Sequence, residues 1–490
     1  MKLLNLCEII FSIAALTCCN AFSQSYDNNW VFGDSVFLNF EMDDPESGIS
    51  SIITNEACAS ISDSIGNLLF YTNGELVWNR NHEIMENGED LEIGGILSPF
   101  GSSLTQGVII VPKPDFNNIF YVFQIQAGLI NGLDFTTVDM SLNDGLGDIL
   151  EKNIHFFDIK IQEKMQFVKH GNGRDWWLLV RRFDTITAEL RNIDFVKFLI
   201  TPDGIEGPLF QHIGPEYDED FDTGWGQMVF SPDGSKLLFP RQSELNIFDF
   251  DRCTGELSNC IRVQNLDMSA YGCSFSPDGT KIYVNGACEK KLFQFCLSCD
   301  GEPIDSTKEL VYDGPTGNYC QGQQLLGPDG KIYLVTAYNV LPNDIFNVKN
   351  QNLSVINNPN ELYPFCDFDT NTVSLGTRRV IFGLPNMPNY NLGPLAGSEC
   401  DTLGTAINNF NEENKLTIYP NPVNDNLTLH SSNNSELIYN IQTIQGQKIL
   451  NGKFVKQENI YFKNYPAGIY LVEIKDETGK LLQFKKIVKD

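Results

Sequence analysis

The chain has 490 residues and a formal net charge of −29. That length exceeds one ordinary hydrophobic core, although a ring of repeats can absorb most of it. So acidic a surface repels duplex nucleic acid and anionic membranes, which excludes both as partners. The chain opens with Lys2, an apolar run from Leu3 to Leu16 and a small-x-small site at Ala21-Phe22-Ser23. Residues 1–23 therefore read as a signal peptide, with the mature chain starting at Gln24. The run is too short and too interrupted for a membrane anchor. Cys18-Cys19 invites lipidation, but Cys18 stands where a small Gly, Ala or Ser is needed, so this is the lesser reading.

Hairpins follow. Ala59 to Asp63 leads through Ile65-Gly66-Asn67 into Leu68 to Thr72, Gly107 to Asp115 leads into Ile119 to Ile125, and Met165 to His170 leads into Trp176 to Val180. Three closer copies come next: Ser231-Pro232-Asp233-Gly234, Ser276-Pro277-Asp278-Gly279 and Gly327-Pro328-Asp329-Gly330, each followed by an apolar strand. Pro presets φ at the first corner of such a turn, and Gly supplies the positive φ that other residues resist. The three prolines are 45 and then 51 residues apart, the length of one four-stranded propeller blade. Helical periodicity is nearly absent, so the class is all-β.

Residues 24–397 are accordingly predicted to form a β-propeller of seven blades, with six as the alternative. The seventh would combine Val373-Ser374-Leu375 and Arg379 to Phe382 with Trp30 to Phe32 or Val36 to Phe40. Joining both chain ends in one blade would leave no free sheet edge. From Gly383 to Gly404 the pattern gives way to Gly and Pro, and Asn408 to Asn414 is polar. This reads as a linker, set at 398–415. Seven short strand signals then fill 416–490, which predicts a small C-terminal β-sandwich.

Ten of the thirteen cysteines lie beyond the leader, an even number in an exported chain. Cys253 and Cys260 could staple their loop, and Cys273 could pair with Cys288 across a hairpin. Cys296-Leu-Ser-Cys299 has CxxC spacing but no second pair or nearby His, which favours a disulfide over zinc.

Chemistry is sparse. The five histidines form no paired metal spacing, and there is no GxSxG elbow. His82 reads as a structural turn residue. Trp176 and Trp177 alternate along one strand, so at least one should pack between blades. Asp218-Glu219-Asp220-Phe221-Asp222 lacks the spacing and Gly of a calcium loop, so calcium is a weak expectation and no cofactor or metal site is assigned. One column stands out. Gln227, Gly272 and Gln323 each lie five residues before a turn proline, near the start of strands that should be innermost. Trp225, Tyr271, Tyr319 and Gln321 stand beside them. Amides with aromatics suit neutral polar ligands, so Trp225, Gln227, Tyr271, Tyr319, Gln321 and Gln323 are the candidate ligand-binding residues. No catalytic residue is assigned.

Two resemblances attach to these residues. Tyr419-Pro420-Asn421-Pro422-Val423, Gly446-Gln447, Pro466-Ala467-Gly468-Ile469-Tyr470-Leu471-Val472 and Lys485-Lys486-Ile487-Val488 together resemble the type A C-terminal sorting domain of the type IX secretion system. This resemblance implies passage across the outer membrane, recognition by the secretion machinery, removal by a sortase-like peptidase, and release or attachment at the cell surface. Cys58 to Asp63, Gly66 to Thr72, Val77 to His82, Val138 to Asn143 and the Ser-Pro-Asp-Gly hairpins resemble propeller regions of proteins exported this way, with WD-like repeats. That second likeness implies fold, not activity. The expected function is a monomeric secreted or surface protein binding a glycan or peptide. A polysaccharide hydrolase or lyase is the alternative, and an envelope scaffold the blander third.

Overall fold

The computed structural model describes residues 25–42, 44–95, 101–126, 132–183, 194–215, 224–299, 301–315, 317, 319–338, 346–401, 416–420, 422–431, 435–443, 447–476 and 481–489. The signal peptide, the Asp218–Asp222 run and the polar stretch at 408–414 lie outside these. The contacts divide the chain into two units, Met1–Leu403 and Gly404–Asp490.

In the first unit the described strands form seven antiparallel sheets, taken in chain order. The first and second have three strands each, beginning at Asn29–Phe32 and Ala59–Ser62. The remaining five have four strands each. Their first strands are Val108–Pro112, Ile161–Lys169, Val229–Phe230, Ala270–Phe275 and Tyr319–Leu326. All six hairpins read from the sequence are present. From the first sheet to the seventh, each first strand lies beside the next. Tyr333 of the last sheet packs edge-on against Trp30 of the first, with ring centroids 5.4 Å apart.

The turns work as their residues require. In Ser231–Lys236 the Gly234 N–H donates to the Ser231 carbonyl at 2.8 Å, with Gly234 at φ +73°. The Asp233 carboxylate accepts from the Ser231 hydroxyl at 2.6 Å and the Ser235 N–H at 3.0 Å. Asp278 repeats this with Ser276 and Thr280. Burial pushes the Asp233 carboxyl up, but these bonds outweigh it and hold it below the usual value. Strand alternation sends the paired tryptophans to opposite sides. The Trp176 indole N–H donates to Pro112 in the third sheet at 3.2 Å, and that of Trp177 to Arg252, after the third strand of the fifth, at 2.9 Å.

Three expectations are corrected. The chain ends do not share one sheet: Asn29–Phe32 pairs with Asp34–Asn39, which pairs in turn with Glu46–Ile53, while Phe368–Ser374 closes the seventh sheet as its fourth strand. Asp34 instead meets Arg379 through a backbone bond of 2.9 Å and an ion pair of 3.1 Å. Cys253 pairs with Cys400, not Cys260, and Cys288 with Cys320, not Cys273. Cys260 and Cys273 are free thiols, whereas Cys296–Cys299 is the disulfide expected.

The third correction concerns the Gly/Pro-rich stretch after Arg379, which contains no strand yet is largely buried from Val380 to Tyr390. Phe382 and Gly383 donate their N–H groups to Asn55, Leu384 to the Gln323 side chain, and Asn386 to Cys58. The Tyr390 hydroxyl reaches Ile110 at 2.8 Å. Arg252 binds the Gly393 carbonyl at 2.7 Å, and the disulfide to Cys253 pins Cys400. This segment therefore lies among the first strands of the sheets. Its backbone groups are satisfied by several sheets, which is why it buries without secondary structure of its own.

The second unit holds two sheets. Leu416–Tyr419, Asn426–Ser431 and Gln457–Tyr461 form one. Lys448–Phe454, Leu437–Thr443, Gly468–Asp476 and Leu481–Lys489 form the other. Ile418, Leu427 and Leu429 of the first share one core with Tyr439, Ile441, Val472 and Ile474 of the second.

Candidate functional site

First strands bring polar side chains to a common central space. The Gln227 side-chain amide donates to the Gln324 backbone carbonyl at 2.8 Å, and its Oε1 accepts from the backbone N–H groups of Gln324 at 2.8 Å and Cys273 at 3.2 Å. It thus ties the fifth, sixth and seventh sheets together. Gln323 donates to the Thr105 carbonyl and accepts from the Leu384 N–H at 2.8 Å. Gly272 completes the column because nothing larger fits: a Cβ there would sit 2.6 Å from the Gly322 carbonyl oxygen.

The remaining candidates are scattered. Tyr271 is buried and donates to Glu56 at 2.6 Å. Tyr319 is buried, bonds the Pro315 carbonyl at 2.7 Å and lies under Lys349, whose Nζ is 3.9 Å from its ring centre. Gln321 is buried, with its Oε1 unbonded among the described residues. Trp225 is 45% exposed. His82 occupies a turn at φ +63° against the Tyr71 hydroxyl at 3.1 Å.

A cavity of about 300 Å³ opens within the central space. Of the six candidates, Gln227 and Gln323 line it; Trp225, Tyr271, Tyr319 and Gln321 do not. Its walls include the three turn prolines, Pro232, Pro277 and Pro328, and the segment from Pro385 to Asn389. Among the lining residues the sequence reading missed, four bear on how the space is built. Gln106 and Gln166 both donate to the Asn386 side-chain oxygen at 3.2 Å, and Gln106 also binds Met228 at 3.0 Å. Asp27 and Trp30 line the cavity from the start of the mature chain. A signal for two of them existed: Gln106, Gln166 and Gln227 recur at intervals of 60 and 61 residues.

A second polar cluster joins Glu56, Tyr271, Thr105 and Glu163. The Tyr271 hydroxyl lies 3.5 Å from Thr105 Oγ1, which donates to Glu163 at 3.4 Å. Burial, opposed by the Tyr271 bond and reinforced by the Glu163 charge, pushes the Glu56 carboxyl up to about 8. Burial also raises Glu163. Both glutamates keep some surface exposed. Among the described residues no group of three or more His, Cys, Asp or Glu side chains is placed to hold a metal.

Comparison with known proteins gives one family match, to the secretion system C-terminal sorting domain, over residues 417–490. No curated protein matches the chain. Among solved structures, the periplasmic gluconolactonase of Pseudomonas aeruginosa is 11% identical, with 84% of this chain and 94% of that one covered at a TM-score of 0.37. A Bacteroides fragilis protein provisionally described as a 6-phosphogluconolactonase is 12% identical, covering 73% and 98% at 0.44. PorZ of Porphyromonas gingivalis, described as a surface component of the type IX secretion system, is 12% identical, covering 95% and 59% at 0.34. No activity passes from these likenesses to this chain. The chain carries at its end a sorting domain of the type IX secretion system, which marks it as a secreted or cell-surface protein.

Proposed function

We propose that this chain is an exported, monomeric seven-bladed β-propeller that binds a polar ligand, a glycan or the end of a peptide, in its central cavity. Residues 416–490 are a sandwich-like export handle, delivered by the type IX machinery and removed by a sortase-like peptidase. The supporting observation is the cavity of about 300 Å³ that the central segment leaves between the first strands. Ligand sites are characteristically of this kind: concave, mostly apolar, with a few placed polar groups. Here the apolar walls come from Phe167, Phe230 and Phe275, and the polar groups from the glutamines. Gln227 and Gln323 act chiefly by holding the rim rigid, since their amides are already bonded.

The test is a glycan and peptide panel against the mature protein, with and without calcium, alongside Ser274→Leu, which narrows the cavity from its wall. A ligand held by the native chain and lost by a folded Ser274→Leu variant is expected. A ligand retained by that variant, or none on the panel, overturns the reading.

A second reading, a polymer-cleaving hydrolase or lyase, draws on Glu56, whose carboxyl stays protonated near neutral pH as a general acid must. It would show as new reducing ends from a polysaccharide, abolished by Glu56→Gln. The cavity itself has one carboxylate among its lining residues, Asp27, so a facing pair as in glycoside chemistry is not among its walls.

A further inference from the structure

We propose that the outer edge of the first sheet, at Glu46–Ile53, docks an extended peptide in which basic and apolar side chains alternate. This goes beyond the cavity reading, because the site shares no lining residue with the central cavity. Five of the seven sheets have a fourth, outermost strand, whereas the first stops at Glu46–Ile53, its third. The second sheet also has three strands, but there Met85 and Gly88 bond the backbone of the last strand at Val77. Among the described residues no segment pairs with the outer edge of Glu46–Ile53 in this way. Ser51 and Ile53 are held by Tyr71, His82 and Asn73 of the second sheet, which leaves Glu46–Ile49 as the free stretch. An open strand edge presents N–H and C=O groups ready to pair with another chain.

The two faces of that stretch ask for different side chains. Glu46 to Ile49 run in unbroken register opposite Asn39 to Val36, so Ser47 and Ile49 share one face and Gly48 lies on the other. On the first face a cleft of about 460 Å³ lies between Ser47 and the outermost strand of the seventh sheet, Phe368–Ser374. Asp44 and Asp369 line it, both exposed. The one cation in its walls, Lys331, already stands 3.6 Å from Asp44 and 3.9 Å from Asp329. Glu46 is exposed at the edge itself, so the surplus charge is negative and its complement is Lys or Arg. The methylene stems of such residues would cover Ile49, which is 58% exposed. On the other face Gly48 brings no side chain, and the half-buried Phe37 ring takes that space: a Cβ at Gly48 would sit 2.7 Å from it. An apolar residue of an added strand would flank that ring and complete its burial. Basic, apolar, basic is therefore the pattern that fits.

The test is calorimetric titration of the full mature chain at low salt with two end-blocked peptides, Lys-Val-Lys-Val-Lys and Glu-Val-Glu-Val-Glu. The basic peptide is expected to bind about ten-fold more tightly or better. Asp44→Asn with Asp369→Asn should weaken it about three- to ten-fold, whereas Ser274→Leu in the central cavity should leave it unchanged. In hydrogen exchange the peptide should slow amides within Glu46–Ile49 and not those of the outermost strands Gly204–His212 and Leu257–Val263. Strand pairing uses alternate main-chain groups. Of two N-methylated basic peptides, one methylated at its lysines and one at its valines, one should therefore lose binding and the other keep it. Equal affinity for the two charges, indifference to N-methylation, or no binding would overturn the proposal. So would self-association of the native chain that Ile49→Lys abolishes, since a second copy of this chain would then be the occupant.

Discussion

The two polar clusters of the central space differ in what is left over. Around Gln227, Gln323 and the Glu56–Tyr271–Thr105–Glu163 chain, polar atoms find partners in neighbouring sheets or in the central segment. At Trp30 and Gln324, a donor (Nε1) and an acceptor (Oε1) lack them among the described residues. The contrast separates structural polarity from binding polarity. A buried amide that bonds backbone on two sheets is a fastener, however well its type suits a ligand. A buried group left unpaired costs stability and implies something that compensates when bound.

This contrast can be broken by substitution. The largest effect is expected at the pin of the central segment. Cys253 and Cys400 close a loop of 147 residues, and Cys253→Ser with Cys400→Ser should lower stability by about 3–5 kcal/mol in a denaturant titration. Next comes pH. Glu56 has its folded pKa raised from 4.5 to about 8. The folded chain therefore keeps a proton that the unfolded chain loses. Its contribution is fully present below the unfolded pKa and is lost as pH rises through the folded one, on the order of 2–4 kcal/mol. Glu56→Gln should flatten that slope in thermal melts between pH 5 and 8.

Gln323→Leu orphans the Thr105 carbonyl and the Leu384 N–H, and should cost about 2–3 kcal/mol. Asp233→Ala removes the turn bonds to Ser231 and Ser235 and should cost about 1 kcal/mol. Trp225→Ala, at an exposed position, should stay within about 0.5 kcal/mol. Should Trp225→Ala nonetheless abolish ligand binding, the exposed aromatic rather than the cavity would be the recognition surface.

Much of the scaffold was legible because it is local. A Ser-Pro-Asp-Gly turn declares itself within four residues, and the strands on either side alternate or run apolar. The glutamine column was legible as a pattern, but its role depends on partners such as Gln324 and Leu384 in other elements, which no local reading supplies. The cysteine pairs failed for the same reason: Cys253 lies nearer in sequence to Cys260 than to Cys400, yet the fold brings the distant one close. The central segment was the hardest to read. Its Gly and Pro content resembles a linker because it uses no ladder of its own, and the carbonyls of Asn55, Cys58 and Gly171, with the Gln323 side chain, show what its N–H groups are for. Asp27 escaped notice because a single acid just past a leader carries no pattern.

The central claim is that Phe382 to Tyr390 is core rather than tether, with the chain beyond it pinned at Leu395 and Cys400, and that the cavity exists because this segment stops short of filling the space beside it. Amide hydrogen exchange on the mature protein tests it most directly. Expected is slow exchange at Phe382, Gly383, Leu384, Asn386 and Leu395, comparable with the strand Ala270–Phe275. Exchange there within seconds, as in an unstructured linker, would contradict it.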